Sequence, residues 1–257
     1  MKGFMVGIGL VLAAACVEAD NVPVAPTGVV ELQGRTQLVA TIGSFDLLAE
    51  ALGRLPDAGT LPDFTSLTVG GYYRVIPNLK VGVFYRVQVG ARHDDDWVQN
   101  SSPPPDWMWQ DTNGRLENIL MLDASPRFQL SFLPGENWVL MVKTRYLYNT
   151  FDGEQSIMAR PELTYFWIQD RIPLLNVSLS YEMYFPLNFG DTLLYQAYPY
   201  LTVLWHATPE LGVELGGAYK TTIWSTSAME RAIDGVVYSV PFSSLVLSLG
   251  LVWTLGF

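Results

Sequence analysis

From residue 79 to 92 the chain alternates without a break. One face carries Leu79, Val81, Val83, Tyr85, Val87, Val89 and Ala91, and the other carries Lys80, Gly82, Phe84, Arg86, Gln88, Gly90 and Arg92. A period of two marks a strand, because successive side chains point to opposite faces. Large apolar residues opposite charged, polar and small ones form a lipid-out, lumen-in pattern.

The pattern recurs along the chain. Segment 138–149 puts Trp138, Leu140, Val142, Thr144, Tyr146 and Tyr148 outward, with Lys143, Arg145 and Asn149 inward. Segment 157–168 puts Leu163, Tyr165 and Trp167 opposite Arg160, Glu162 and Thr164, and 174–185 puts Val177, Leu179, Tyr181, Met183 and Phe185 opposite Asn176, Ser178, Ser180 and Glu182. Segment 211–222 sets Leu211, Val213, Leu215 and Tyr219 against Glu214, Gly216 and Lys220, and weaker copies cover 28–42, 64–76, 115–132 and 193–205. In the last strand, roughly 236–257, one face reads Leu245, Leu247, Leu249, Leu251, Trp253, Leu255 and Phe257, with Ser244, Ser248, Gly250, Thr254 and Gly256 opposite.

That ending resembles outer-membrane β-barrel proteins of Gram-negative-type bacteria, whose final strand alternates aromatic or aliphatic residues and closes on Phe. The resemblance implies an exported barrel, a lipid bilayer as surroundings, and insertion by the outer-membrane assembly machinery through Trp253, Leu255 and Phe257. The expected fold is all-β, a single transmembrane antiparallel up-and-down barrel over residues 20–257.

Connections alternate in length. Short ones are 77–78, 133–137, 169–173 and 206–210, and longer ones are 93–114, 150–156, 186–192 and 225–235. Short turns read as periplasmic, which puts Phe257 at the periplasmic end. An even count with both termini at that end gives ten strands if 43–63 is one excursion. There Phe45, Leu48, Leu52 and Leu55 fit a helical stripe that Ser44 caps, yet Asp46, Glu50 and Arg54 alternate with Ala49, Ala51 and Leu55 as in a strand. The expected number is ten to twelve.

Composition supports a barrel over a helical membrane protein. Hydrophobic residues reach 49%, but beyond the N-terminus no segment has the roughly 18 consecutive apolar residues of a spanning helix. Charged residues are 16%, against about 25% in soluble domains. Residues 1–19 read as a signal peptide: Lys2, an apolar run from Gly3 to Ala15, and Val17-Glu18-Ala19 as cleavage site. Cleavage there removes Cys16, the single cysteine; the alternative is a loose lipobox, Leu12 to Cys16, in which Cys16 is acylated. Both readings give an exported protein, and the resemblance of the last strand implies a place in the bacterial outer membrane.

The net charge of −10 gives no support to a nucleic-acid partner. The distribution of charge is more informative. By alternation, Arg74, Lys80, Arg86, Arg92, Arg115, Arg127, Lys143, Arg145, Arg160 and Lys220 point inward, with Glu117, Asp123, Glu162, Glu182 and Glu214. Most other acids lie in loops. A basic interior either fills a narrow lumen with ionic networks or lines a path that favours anions.

Two histidines are present. His206 sits at a turn beside Trp205, and the plain reading is an interfacial aromatic. His93 begins Arg92-His93-Asp94-Asp95-Asp96-Trp97, where a strand meets the longest loop. His93, Asp94, Asp95 and Asp96 make a candidate divalent-cation site, since carboxylate clusters suit hard cations; the plain alternative is a solvated acidic loop anchored by Trp97. A rim lipid hydrolase using His93 needs a serine within reach, and the nearest, Ser101 and Ser102, follow in a Pro-rich loop. No nucleotide or zinc motif and no nucleophile elbow appears, so no cofactor is expected beyond that cation. The leading functional expectation is a small channel or transport-associated barrel for small, anionic solutes. A structural barrel with a filled lumen stands beside it, and catalysis is not the favoured reading.

Overall fold

The computed structural model describes residues 28–55, 63–93, 96–99, 107–110, 112, 114–135, 137–170, 172–190, 192–225 and 239–256. The long strands are β1 (Val29–Ile42), β2 (Phe45–Leu55), β3 (Phe64–Ile76), β4 (Leu79–Val89), β7 (Leu116–Gln129), β8 (Trp138–Asn149), β9 (Gln155–Gln169), β10 (Ile172–Pro186), β11 (Gln196–His206), β12 (Leu211–Ser225) and β13 (Ser239–Gly256). These eleven close a barrel in chain order. A small hairpin of β5 (Trp97–Gln99) and β6 (Trp107–Trp109) lies in the loop between β4 and β7.

The all-β barrel is as expected, but its strand number is odd. Residues 45–55 form a strand paired with β1 and β3, not an excursion with a helical stripe. The inward positions of β2 explain why: Asp46 pairs with Lys80, Glu50 with Arg35, and Arg54 with Asp63. Period two therefore satisfies charges that a helix would scatter around its surface. Because eleven is odd, β1 meets β13 in parallel, from Val29 opposite Ser244 to Thr41 opposite Gly256. Every other neighbouring pair in the barrel is antiparallel. The start of β1 thus lies at the end opposite Gly256, so the expectation of both termini at the short-turn end gives way.

The connections alternate between the two ends as expected, but not strictly by length, since the connection between β7 and β8 (130–137) is longer than that between β8 and β9 (150–154). Among the described residues, the turns at 43–44, 77–78 and 207–210 lie at one end, where β7 and β9 also end, and β2, β4, β8, β10 and β12 end at the other. The signal-peptide residues 1–19 with Cys16, the loop residues Asp94, Asp95, Ser101 and Ser102, and Phe257 fall outside the described residues.

The barrel is apolar outside and polar inside. Leu47, Leu67, Val83, Leu122, Leu179, Leu201, Leu215 and Leu249 are all exposed on the outer face. Among the described residues, buried polar and charged side chains outnumber buried apolar ones. A buried apolar cluster, Phe84, Ile119 and Met121, lies inside the lumen with Leu48, Tyr72 and Leu147 against it. Gly70 and Gly82 flank the Phe84 ring, and a Cβ on either would run into it.

Candidate functional site

Alternation brings charged residues from every part of the chain onto one inner wall. A cavity of ≈ 710 Å³ occupies the lumen. Its lining follows β8 from Val139 to Asn149, β9 from Ser156 to Phe166 and β10 from Asn176 to Tyr184, so it runs the height of these strands. The wall carries nine basic side chains, Arg35, Arg54, Arg86, Arg92, Arg127, Lys143, Arg145, Arg160 and Lys220. Against them stand six acids, Glu31, Glu50, Glu154, Glu162, Glu182 and Glu214.

Most of this charge is paired. Arg145 Nε lies 2.5 Å from Asp123 and Lys143 Nζ 3.6 Å from the same carboxylate, which has no exposure. Arg160 reaches both Glu162 and Glu182 at 3.4 Å. Two pairs cross the parallel seam: Arg35 Nη2 to Glu214 at 2.5 Å, and Lys220 Nζ to Glu31 at 3.0 Å. Ser244 on β13 also donates to Glu31, at 2.7 Å. These side chains link β12, β13 and β1 where the ladder is parallel and its pairing slightly weaker. Arg86 donates through Nε to Thr68 Oγ1 at 3.0 Å. Neither Arg86 nor Arg127 has a carboxylate within 4.0 Å among the described residues. Both therefore present charge to the cavity.

Aromatic side chains also line the cavity. Tyr198 and Tyr200 stack with ring centroids 5.6 Å apart, and Tyr184 meets Tyr198 edge-on at 6.0 Å. All three line the cavity.

A second constellation lies at the long-loop mouth. Gly90 ends β4 with φ of 80°, and a Cβ there would strike the Asp63 carbonyl. The turn that follows is pinned when Asp96 accepts the backbone N–H of His93 at 2.8 Å. Asp96 is itself buried and accepts two bonds from Arg115, at 2.7 and 2.6 Å. His93 is thereby held inward, its side chain 13% exposed. Its Nε2 lies 2.7 Å from Glu117 Oε1, and its Nδ1 lies 3.1 Å from Glu154 and 3.5 Å from Asp152. Burial works to lower its pKa, but hydrogen bonds to Glu117 and Glu154 outweigh that, and the imidazole is pushed up to about 11.

Of the residues the sequence singles out, Arg86, Arg92, Lys143, Arg145, Arg160, Glu162, Glu182, Glu214 and Lys220 lie on the cavity wall. Arg115 instead holds Asp96 in the loop, while Lys80 pairs with Asp46 and exposed Arg74 lies beside it near the short-turn end. Trp253 and Leu255 share the alternating face that Leu249 and Leu251 expose. His206 Nε2 lies 3.0 Å from Asn176 Nδ2, far from His93. The partners of His93 were not legible: Glu117 and Glu154 are distant in sequence and carry no motif. No protein-family model matches this chain, and no curated protein matches it.

Proposed function

We propose that this chain is an outer-membrane β-barrel whose narrow lumen passes small solutes and favours anions. The carrying observation is a cavity lined along the full height of β8, β9 and β10, with Arg86 and Arg127 unneutralised by any described carboxylate. A low-dielectric wall focuses such surplus charge along the path.

The membrane setting rests on the outer surface. Strands of 11 to 18 residues meet or exceed the roughly 9–11 that a tilted strand needs to cross a bilayer. The exposed Leu and Val side chains form a band, and the short-turn end carries Phe45, Tyr73, Phe128, Trp138, Tyr165, Trp167, Trp205 and Trp253. Phe45 packs on Tyr73 at 5.0 Å and Trp138 on Tyr165 at 4.8 Å. Such aromatic girdles sit where hydrocarbon meets headgroups.

A structural barrel with a filled lumen is the second reading, favoured by the dense ion pairs and the Phe84 cluster. A rim hydrolase draws no support from His93, because both ring nitrogens face carboxylates and, among the described residues, no serine hydroxyl is hydrogen-bonded to either. Planar-bilayer recording of purified, folded protein in a salt gradient separates the two leading readings. The expected result is small unitary steps with an anion-selective reversal potential. Silent bilayers containing folded barrel would favour the filled lumen, and cation selectivity would overturn the anion path.

A further inference from the structure

We propose that His93, Asp152 and Glu154 form a binding site for one divalent transition-metal ion of the zinc type at the long-loop mouth of the lumen. Nδ1 of His93, a carboxylate oxygen of Asp152 and one of Glu154 lie within 4.8 Å of one another. Nδ1 is 3.1 Å from Glu154 and 3.5 Å from Asp152. A tetrahedral ion with bonds of about 2.0–2.1 Å places its ligands about 3.3 Å apart. The nitrogen therefore already stands from each carboxylate at close to a coordination edge. The two carboxylates project from a short turn and are only partly covered, so an ion can reach them.

The second observation is independent of the acids. Glu117 Oε1 lies 2.7 Å from Nε2, and this carboxylate side chain has no exposure. It is fixed in turn by Gln88 Nε2 at 3.0 Å and Asn149 Nδ2 at 3.2 Å. A metal-binding histidine commonly donates its other N–H to a carboxylate, which sets the tautomer and aims the lone pair. With the Nε2 proton directed to Glu117, Nδ1 faces Asp152 and Glu154, and its lone pair points at them once Nδ1 gives up its own proton. An ion there takes that lone pair, and any proton on Nδ1 leaves to solvent. The turn is also preformed: Asn149 donates to Asp152 at 3.1 Å, Asp152 accepts the Glu154 N–H at 2.8 Å, and Gly153 has φ of 80°. One nitrogen and two carboxylates suit zinc-type ions, whereas calcium takes six to eight oxygens. Asp96 is not a ligand here, since Arg115 occupies its carboxylate.

The test uses the full folded barrel in detergent, stripped with a chelator and then titrated with Zn²⁺, with Co²⁺ as an absorbing stand-in. Wild type is expected to bind one ion with the visible absorption of four-coordinate Co²⁺. Asp152→Asn combined with Glu154→Gln should weaken binding at least about 100-fold, and His93→Gln should do likewise. Glu117→Gln should weaken it by roughly 10–100-fold without abolishing it. His206→Gln should change nothing. The turn variant alters only partly exposed side chains, so it keeps the test decisive if His93→Gln or Glu117→Gln fails to fold. Folded wild type that binds no Zn²⁺ overturns the proposal, as does binding unchanged in the turn variant. So does binding that is lost on changing Asp94 and Asp95 but kept in the turn variant, since the ion would then belong to the acidic run.

Discussion

Asp123 and Arg145 face each other across the β7–β8 ladder, with guanidinium Nε and Nη2 at 2.5 and 2.9 Å from the two oxygens of a carboxylate that water does not reach. Tyr72 donates to the same carboxylate at 2.7 Å. Removing one partner of a buried pair leaves an uncompensated charge, which costs about 3–5 kcal/mol. Arg145→Gln should therefore lower unfolding stability by up to that order in urea titrations of the folded barrel, less what Lys143, 3.6 Å from the same carboxylate, still compensates. Arg86→Gln, whose guanidinium has no described carboxylate beside it, should cost far less. Adding Asp123→Asn to Arg145→Gln should recover part of the loss. Equal costs for Arg145→Gln and Arg86→Gln would mean that the Asp123 pair is not what holds this wall.

Leu249 and Ser248 test which face meets lipid. Leu249 is exposed on the outer surface, while Ser248 lines the cavity. An Arg on a lipid face near the bilayer midplane costs roughly 2–4 kcal/mol. Leu249→Arg should thus impair folding into liposomes much more than Ser248→Arg, measured by heat-modifiable migration. Equal tolerance would argue against a lipid-facing exterior.

The strands easiest to read are those with an unbroken apolar outer face, such as β4 and, from Leu245 to Leu255, β13. The segment 45–55 was ambiguous because Leu48 and Leu52 point inward, where Leu48 packs against the Phe84 cluster and Leu52 lines the cavity. With leucine on both faces, a period of two and a helical stripe fit equally well. Treating that segment as an excursion hid Asp46, Glu50 and Arg54 from the lumen, and with them part of the acid that offsets the basic wall. It also hid the odd strand number, and hence the parallel seam at which Lys220 meets Glu31. The partners of His93 depend on which strands become neighbours, and local sequence cannot supply that. The adjacent aspartates drew attention instead, yet the one that is described, Asp96, is committed to Arg115.

Gly90 holds the approach to the mouth. Its positive φ disfavours any side chain, and the Asp63 carbonyl occupies the space a Cβ needs. Gly90→Ala should destabilise the barrel by about 1–3 kcal/mol and disturb the turn that carries His93. Urea unfolding should detect the first effect, and protease cleavage in the loop between β4 and β7 the second. An Ala variant as stable and as resistant as wild type would show that the strand end relaxes freely.

Deleting Phe257 probes the resemblance of the final strand to outer-membrane barrels. If the Trp253-to-Phe257 ending is the insertion signal, the shortened chain should accumulate in the periplasm in a protease-sensitive form. Normal outer-membrane assembly of the deletion would count heavily against that role.

Ion preference is best tested at arginines whose removal strands no partner. Arg145 is a poor choice, since its loss would expose the Asp123 charge and confuse selectivity with folding. Arg86 and Arg127 both line the cavity, and neither has a described carboxylate within 4.0 Å. Changing both to Gln removes two positive charges from the wall and leaves the ion pairs around Asp123, Glu182 and Glu31 in place. The double variant should fold and conduct, with a reversal potential shifted toward zero in a salt gradient. A second double variant, Glu50→Gln with Glu214→Gln, takes charge of the other sign from the wall and frees Arg35. It should shift the reversal potential further toward anion preference. Two variants that conduct like wild type would mean that ions pass without sensing this wall, and the charge would then serve only to hold the strands together.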